Sequence, residues 1–246
     1  MIVTTNQLTK SYSKSRKKKA FTLNIEGLEL AEGEFAAMLG PNGSGKSTFI
    51  KIMLGLVKPD AGTLNLMGYD FTQKEARQKV GYLPENFSFP KFLTVRKTMQ
   101  VFGGINPPEG TSIDERIEQL ASDLNIDYLD EKFGKLSKGM RQTAAIMHTL
   151  LGDHSFYILD EPLNGLDAVR KQHIISYLKY LREEKNISLL ITTHILSDIE
   201  KLCDTIHLIK NGEIIHSASR QMIIEEHVSV EAYYLNYFQP QFGAQP

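Results

Sequence analysis

A single cysteine, Cys203, stands in 246 residues. One thiol cannot close a disulfide within the chain or build a cysteine metal site, and the scarcity fits a reducing cytosol. Charge of one sign is lacking too: 28 Lys and Arg face 29 Asp and Glu, a net charge of −1. That balance supplies no drive toward polyanions and sets nucleic acid aside as a partner. Long apolar runs are absent. The longest, such as FAAML at 35–39, are about five residues, far short of the ~20 that a bilayer span needs. The opening MIVTTNQLTK has neither the basic leader nor the apolar stretch of a secretory signal. Any membrane role therefore runs through a partner. What the chain does have is 41% apolar and 23% charged residues, enough to bury a core as one domain or as a domain with a subdomain.

Short apolar runs, FAAMLG, FYILD and SLLITT, are bounded by turn residues and separated by segments of helical period. This pattern predicts α/β architecture with buried, mostly parallel strands. The first thirty residues differ: IVTTNQL and AFTLNIEGLEL alternate with period two and predict an antiparallel β region. Between them lies a basic run, Lys14, Arg16, Lys17, Lys18 and Lys19, expected as a solvated hairpin tip, with attraction to anionic lipid headgroups as the alternative. From about Asn86 to Gly152 strand-like runs disappear. SIDERIEQLASDLNI puts Ile113, Ile117, Leu120 and Leu124 on one helical face, and MRQTAAIMHTLL continues the helical pattern, so a helical subdomain inserted into the α/β core is expected. NPPEG at 106–110 reads as a loop within it. After about Ser217 a helix carrying Tyr233, Tyr234, Tyr237 and Phe238 is expected to pack back on the domain, and QPQFGAQP has the composition of a frayed end.

GPNGSGKST at 40–48 satisfies G-x-x-x-x-G-K-[ST] between a strand-like run and a helix. Gly40, Gly43 and Gly45, with Pro41, Asn42 and Ser44 between them, let the backbone aim its N–H groups at phosphate oxygens, and the following helix adds its positive end. Lys46 is expected on the β and γ phosphates, Ser47 on Mg²⁺, and Thr48 on the α phosphate. At the end of FYILDEP, Asp160 is placed to hold Mg²⁺ through water and Glu161 to orient and polarise an attacking water. Two adjacent acids can also simply cap a strand. His194 closes the run SLLITTH, at the strand end where open α/β sheets put their ligands. A further anion-friendly helix start lies in GKLSKGMRQ at 134–142, where LSKG on its own terms is an ordinary helix N-terminus with a Ser cap.

Taken in order, these elements resemble an ATP-binding cassette (ABC) ATPase subunit over nearly the whole chain. LTKSYSKSRKKKAF is similar to that family's opening hairpin and puts Tyr12 where an aromatic ring stacks on adenine. VGYLPEN resembles the Q-loop, LSKGM the signature motif, LNGLD the D-loop and TTH the switch histidine. The fold implied is a P-loop NTPase with an ABC-type antiparallel β region, a mostly parallel core sheet flanked by helices, and an inserted helical subdomain. Residues 1–85 and 153–217 form the ATP-binding core, 86–152 the helical signature subdomain and 218–246 the C-terminal helix and tail, one ABC domain in all. Two such cassettes, self or homologue, bind head to tail, so that Ser137, Lys138, Gly139 and Met140 of one cover the γ-phosphate of ATP held by the other. Asp167 is assigned to the dimer interface, with a helix cap as the competing reading. The chain departs from the family twice. Lys138 and Met140 replace Gly and Gln of the usual LSGGQ, and Lys138 either strengthens trans binding or points to solvent. Glu85 replaces the Q-loop Gln, and a carboxylate there still suits Mg²⁺ or its water. The implied function is the ATP-hydrolysing subunit of a transporter, of export type, at the inner face of the membrane through separate transmembrane permease subunits. A soluble ABC ATPase with a non-transport task is the alternative.

Overall fold

The structure, a computed structural model, describes residues 1–13, 20–103 and 110–239. The basic run at 14–19, most of the NPPEG loop and the tail from 240 onward lie outside the described residues. Strands β1 (Val3–Tyr12) and β2 (Phe21–Leu30) pair antiparallel, from Val3 opposite Leu30 to Tyr12 opposite Phe21. Their alternation carries one interruption: Val3 and Thr5 are buried, then Leu8 rather than Gln7. Gln7 adopts a left-handed φ of 46° where the register to the neighbouring strand shifts. This bulge adds one residue and returns the apolar series to the core.

β3 (Phe35–Leu39) is buried at every position and leads through a glycine loop into α1 (Lys46–Met53). Then come β4 (Ala61–Leu66), β5 (Tyr69–Asp70) and α2 (Glu75–Gln78). β6 (Val80–Leu83) precedes a helical stretch: α3 (Val95–Thr98), a π-helical turn at Met99–Gly103, α4 (Ile113–Asp123), a 3₁₀ turn at Phe133–Lys135 and α5 (Lys138–Leu150). α4 starts on a reciprocal capping box between Ser112 and Glu115, and Ile117, Leu120 and the C-cap residue Leu124 are buried, three of the four residues on its expected apolar face, with Ile113 half-buried. β7 (Phe156–Asp160), α6 (Ala168–Lys185), β8 (Ser188–Thr192), α7 (Leu196–Leu202), β9 (Thr205–Lys210), β10 (Glu213–Ser219), α8 (Arg220–His227) and α9 (Val230–Phe238) complete the order.

The C-terminal region holds two helices where the sequence suggests one. Val228 sits at φ 70° and Ser229 caps a new helix by accepting from the Ala232 N–H, so the chain turns and restarts. The turn delivers the aromatic face of α9 inward. Tyr233 is buried and its hydroxyl lies 2.7 Å from His216 Nδ1.

The chain divides into two compact units, Met1–Arg77 with Thr192–Pro246, and Gln78–Ile191. The first contains an antiparallel sheet in the order β2-β1-β4-β5, together with β3 parallel to β9 and β9 antiparallel to β10. Asn211 and Gly212, both at positive φ, make the tight turn between β9 and β10. The second unit contains β6 parallel to β7, β7 beside β8, and helices α3 to α6. Phe89 centres its aromatic cluster, with ring centroids 5.0 Å from Phe133, 5.2 Å from His148 and 5.8 Å from Phe102.

His207 on β9 is buried, with Nδ1 2.8 Å from Ser217 Oγ and no hydrogen bond at Nε2 among the described residues. Burial pushes this imidazole down to about 4, against a smaller opposing pull from Glu34. A lowered histidine value means that the unfolded chain binds the extra proton first, so stability is intact above about 6.5 and is lost as pH falls toward 4. We expect wild type to lose up to about 3 kcal/mol over that window which His207→Leu does not lose. Denaturant midpoints measured at pH 7 and pH 4.5 for both proteins check it; parallel losses would remove His207 from the acid response.

Candidate functional site

The first unit supplies a phosphate cradle. At Gly40, directly after β3, a Cβ would lie 2.1 Å from the Ile209 carbonyl oxygen and 2.8 Å from Ser44 Oγ, so only glycine allows the loop to close on β9. The loop is tied from outside by the Gly212 N–H, which donates to the Ser44 carbonyl at 2.8 Å. Gly45, at φ 119°, is the residue before α1, and α1 has no side-chain cap. No side chain competes for the start of the helix, and such a helix end favours an anion. Ser44 is 3% exposed, yet its hydroxyl has no hydrogen bond among the described residues. Lys46 Nζ folds back on the loop, donating to the carbonyls of Gly40 at 2.6 Å and Pro41 at 3.2 Å. A closed glycine loop, an unpaired buried hydroxyl, an uncapped helix and a lysine over them fit a nucleotide triphosphate tail. Ser47 and Thr48 occupy the first turn of α1.

Tyr12 ends β1 half exposed, opposite Phe21, whose ring centroid is 6.5 Å away. Phe21 in turn reaches the loop, since a Cβ on Gly45 would lie 3.2 Å from Phe21 Cζ. Tyr12 is therefore one ring removed from the phosphate loop. His194 lies two residues beyond β8 and is exposed.

The second unit carries the acids. Asp160 ends β7 and is 8% exposed. Glu161 follows at φ 52°, a left-handed conformation that costs a non-glycine residue about 1 kcal/mol or more. Gln142 of α5 donates from Nε2 to the Pro162 carbonyl at 2.9 Å and the Glu161 carbonyl at 3.4 Å. The Tyr82 hydroxyl is pushed up, first by burial and then by the charges of Asp160 and Glu85, which places both carboxylates in one electrostatic neighbourhood. Among the described residues no group of three or more His, Cys, Asp or Glu could hold a metal ion. Within this unit the carboxylates of Asp160 and Glu85 are hard oxygen donors. They suit an ion such as Mg²⁺ that keeps water and phosphate as its other ligands.

The signature stretch opens α5. Ser137 caps it, accepting from the Met140 N–H at 3.2 Å; Ser137 and Lys138 are exposed and Gly139 is buried. The Met140 carbonyl accepts from the Tyr128 hydroxyl at 3.1 Å. Asp167 caps α6 by accepting from the Arg170 N–H at 2.9 Å, and that bond, followed by the Arg170 charge, holds its carboxyl below the usual range. The capping reading of Asp167 is thus realised in the fold, and its exposed position leaves the interface reading intact. One residue that sequence reasoning passed over is Gln142, whose burial less than two turns past Ser137 only the fold reveals.

A family model described as ABC transporter matches residues 23–164 of this chain. The chain belongs to the ABC transporter family. It is 29% identical over 225 residues to the ABC transporter ATP-binding protein NatA of Bacillus subtilis (strain 168), covering 89% of this chain and 91% of that one. It is 31% identical to the Nod factor export ATP-binding protein I of Rhizobium sp. (strain N33), over 87% of this chain and 72% of that protein. The bacitracin transport ATP-binding protein BcrA of Bacillus licheniformis is 32% identical over 87% and 68% of the two chains. Among solved structures, the ATP-binding subunit of an ABC transporter superposes with a TM-score of 0.81 at 25% identity, over 96% of this chain and 99% of that one. A dimeric ATP-binding cassette in a post-hydrolysis state with ADP and Pi shares the fold, with a TM-score of 0.77 at 24% identity over 89% and 98%. This ABC protein has the P-loop cassette fold expected of it and is an ATP-hydrolysing subunit of a transporter.

Proposed function

We propose that this subunit pairs head to tail with a second cassette, itself or a homologue, and hydrolyses ATP in a site completed by that partner's signature turn. The observation that carries the reading is the cradle at 40–48, with its uncapped helix, unpaired Ser44 hydroxyl and folded-back Lys46. In it Lys46 exchanges its two loop carbonyls for the β and γ phosphate oxygens, Thr48 takes the α phosphate, and the Tyr12 ring stacks on adenine. Ser47 and Asp160, with Glu85 nearby, would hold Mg²⁺, which when bound neutralises phosphate charge. Glu161 accepts a proton from water as the water oxygen bonds to the γ-phosphorus and the bond to the bridging oxygen breaks, leaving ADP and phosphate. His194 hydrogen-bonds the γ-phosphate. Ser137 and Gly139 bind the partner's γ-phosphate, and Asp167 sits at the interface.

Among the described residues no helix is long and apolar enough to cross a membrane. In our reading transport runs through separate permease subunits at the cytoplasmic face, a reading that the transporter relatives support. Export is the direction that the relatives named for Nod factor export and bacitracin transport support. A cavity of about 520 Å³ in the Q-loop region is lined by the rings of Phe87, Phe89 and Phe133 and by the charged residues Lys91, Lys138, Arg141 and Glu85. Three rings, with three cations against one carboxylate, suit an acidic, apolar segment of a permease. Lys91→Glu is expected to lower recovery of the subunit on permease-bearing membranes by roughly tenfold, while the isolated subunit hydrolyses ATP as before. Undiminished recovery would refute this docking site.

A further inference from the structure

We propose that Gln142 is a positioning residue that fixes the backbone of Glu161 and links it to the helix whose start meets the partner's nucleotide. The first two turns of α5 touch the segment after β7 at three successive places. Gln142, 7% exposed, spends its side-chain amide on the carbonyls of Pro162 and Glu161, at 2.9 and 3.4 Å. A Cβ on Gly139 would lie 3.2 Å from the Gly165 oxygen and 3.2 Å from Arg170 Nη1, so the helix approaches the D-loop backbone directly. Lys138 lays its stem along Gly165, where a Cβ would lie 2.8 Å from Cε and 3.3 Å from Nζ. The departure from the family's usual glycine at 138 thus adds a cover over the D-loop.

Glu161 needs such support. Its left-handed φ of 52° persists only if the surroundings over-determine it. A Gln142 amide that holds the carbonyls on both sides of the Glu161–Pro162 bond restrains the rotation that would relax the strain and swing the carboxylate away. Because Ser137 and Gln142 share one helix, under two turns apart, a shift of the helix start on engaging an anion reaches Glu161 through a rigid element.

The inference rests on the reading of Glu161 as general base, so Glu161→Gln is assayed beside the test variants. Gln142→Met keeps length and volume but has no N–H to donate. We expect its kcat to fall roughly tenfold or more with KM for ATP within about twofold and the melting temperature little changed. Gln142→Glu provides the second readout. A buried carboxyl among carbonyls titrates above its usual range and donates only when protonated. Its activity relative to wild type should therefore rise as pH drops from 8 to 6, whereas that of Gln142→Met should not. Wild-type kcat in Gln142→Met, a KM that rises in step with the loss, or matching pH profiles of the two variants would each overturn the proposal; should Gln142→Met fail to fold, the Gln142→Glu profile decides alone. An active Glu161→Gln would remove the general base instead, and an inactive Glu161→Gln beside a wild-type Gln142→Met would defeat only the positioning role.

Discussion

Glu161→Gln should reduce ATP turnover by about 10²- to 10⁴-fold, the range that a general base contributes. The amide keeps the size of the side chain and its place after β7 but cannot take a proton from water. The phosphate cradle is built from the glycine loop, Ser44 and Lys46, and the substitution changes none of these residues. Nucleotide binding is thus expected to survive. If ATP bridges two cassettes, removing hydrolysis removes the step that separates them, and the variant should accumulate as an ATP-bound dimer. Light scattering with ATP then reports a doubled mass for Glu161→Gln and a monomer for wild type after turnover. Normal hydrolysis by the variant would take Glu161 out of its role. Lost hydrolysis without a persistent dimer would leave the base in place and remove the idea that ATP holds the subunits together.

The parts of this site legible in advance are those whose chemistry is carried by backbone or by position in a run. GPNGSGKST is spelled by the demands of a tight loop: the approach of Gly40 to the Ile209 carbonyl forbids any side chain there. Asp160 and Glu161 could be placed because four apolar residues precede them and a buried strand must end somewhere. The antiparallel β region was visible in its alternation, but the bulge at Gln7 was not, because a one-residue slip in period two looks like noise until the neighbouring strand is in register. Lys138 was left between two directions by its sequence context; only the fold brings Gly165 beneath its stem. Gln142 was passed over for a related reason. An amide in a helix reads as a solvent-facing residue, and its partners, two carbonyls about twenty residues away, become visible only when α5 and the segment after β7 are packed.

Ser137→Arg carries the second large effect, and its value lies in where the damage falls. Among the described residues the Ser137 hydroxyl accepts from the Met140 N–H, and the residue is exposed. Losing that cap costs about 0.5–2 kcal/mol of stability, which leaves the subunit folded. Arginine at the same place sets a long side chain across the start of α5, where the partner's γ-phosphate is proposed to lie. Combined with Glu161→Gln, the two possible arrangements separate cis from trans. If one cassette carries both substitutions and its partner is wild type, the one competent base faces the altered signature, and hydrolysis should fall by roughly tenfold or more relative to the dimer with Glu161→Gln alone. If Ser137→Arg and Glu161→Gln are placed on opposite cassettes, the competent base faces an intact signature, and hydrolysis should stay near that reference. A Ser137→Ala control, which loses the cap without adding bulk, should fall between them. Equal loss in both arrangements would mean that Ser137 acts through the fold of its own chain, and the reverse order would place the signature on its own nucleotide and end the head-to-tail reading.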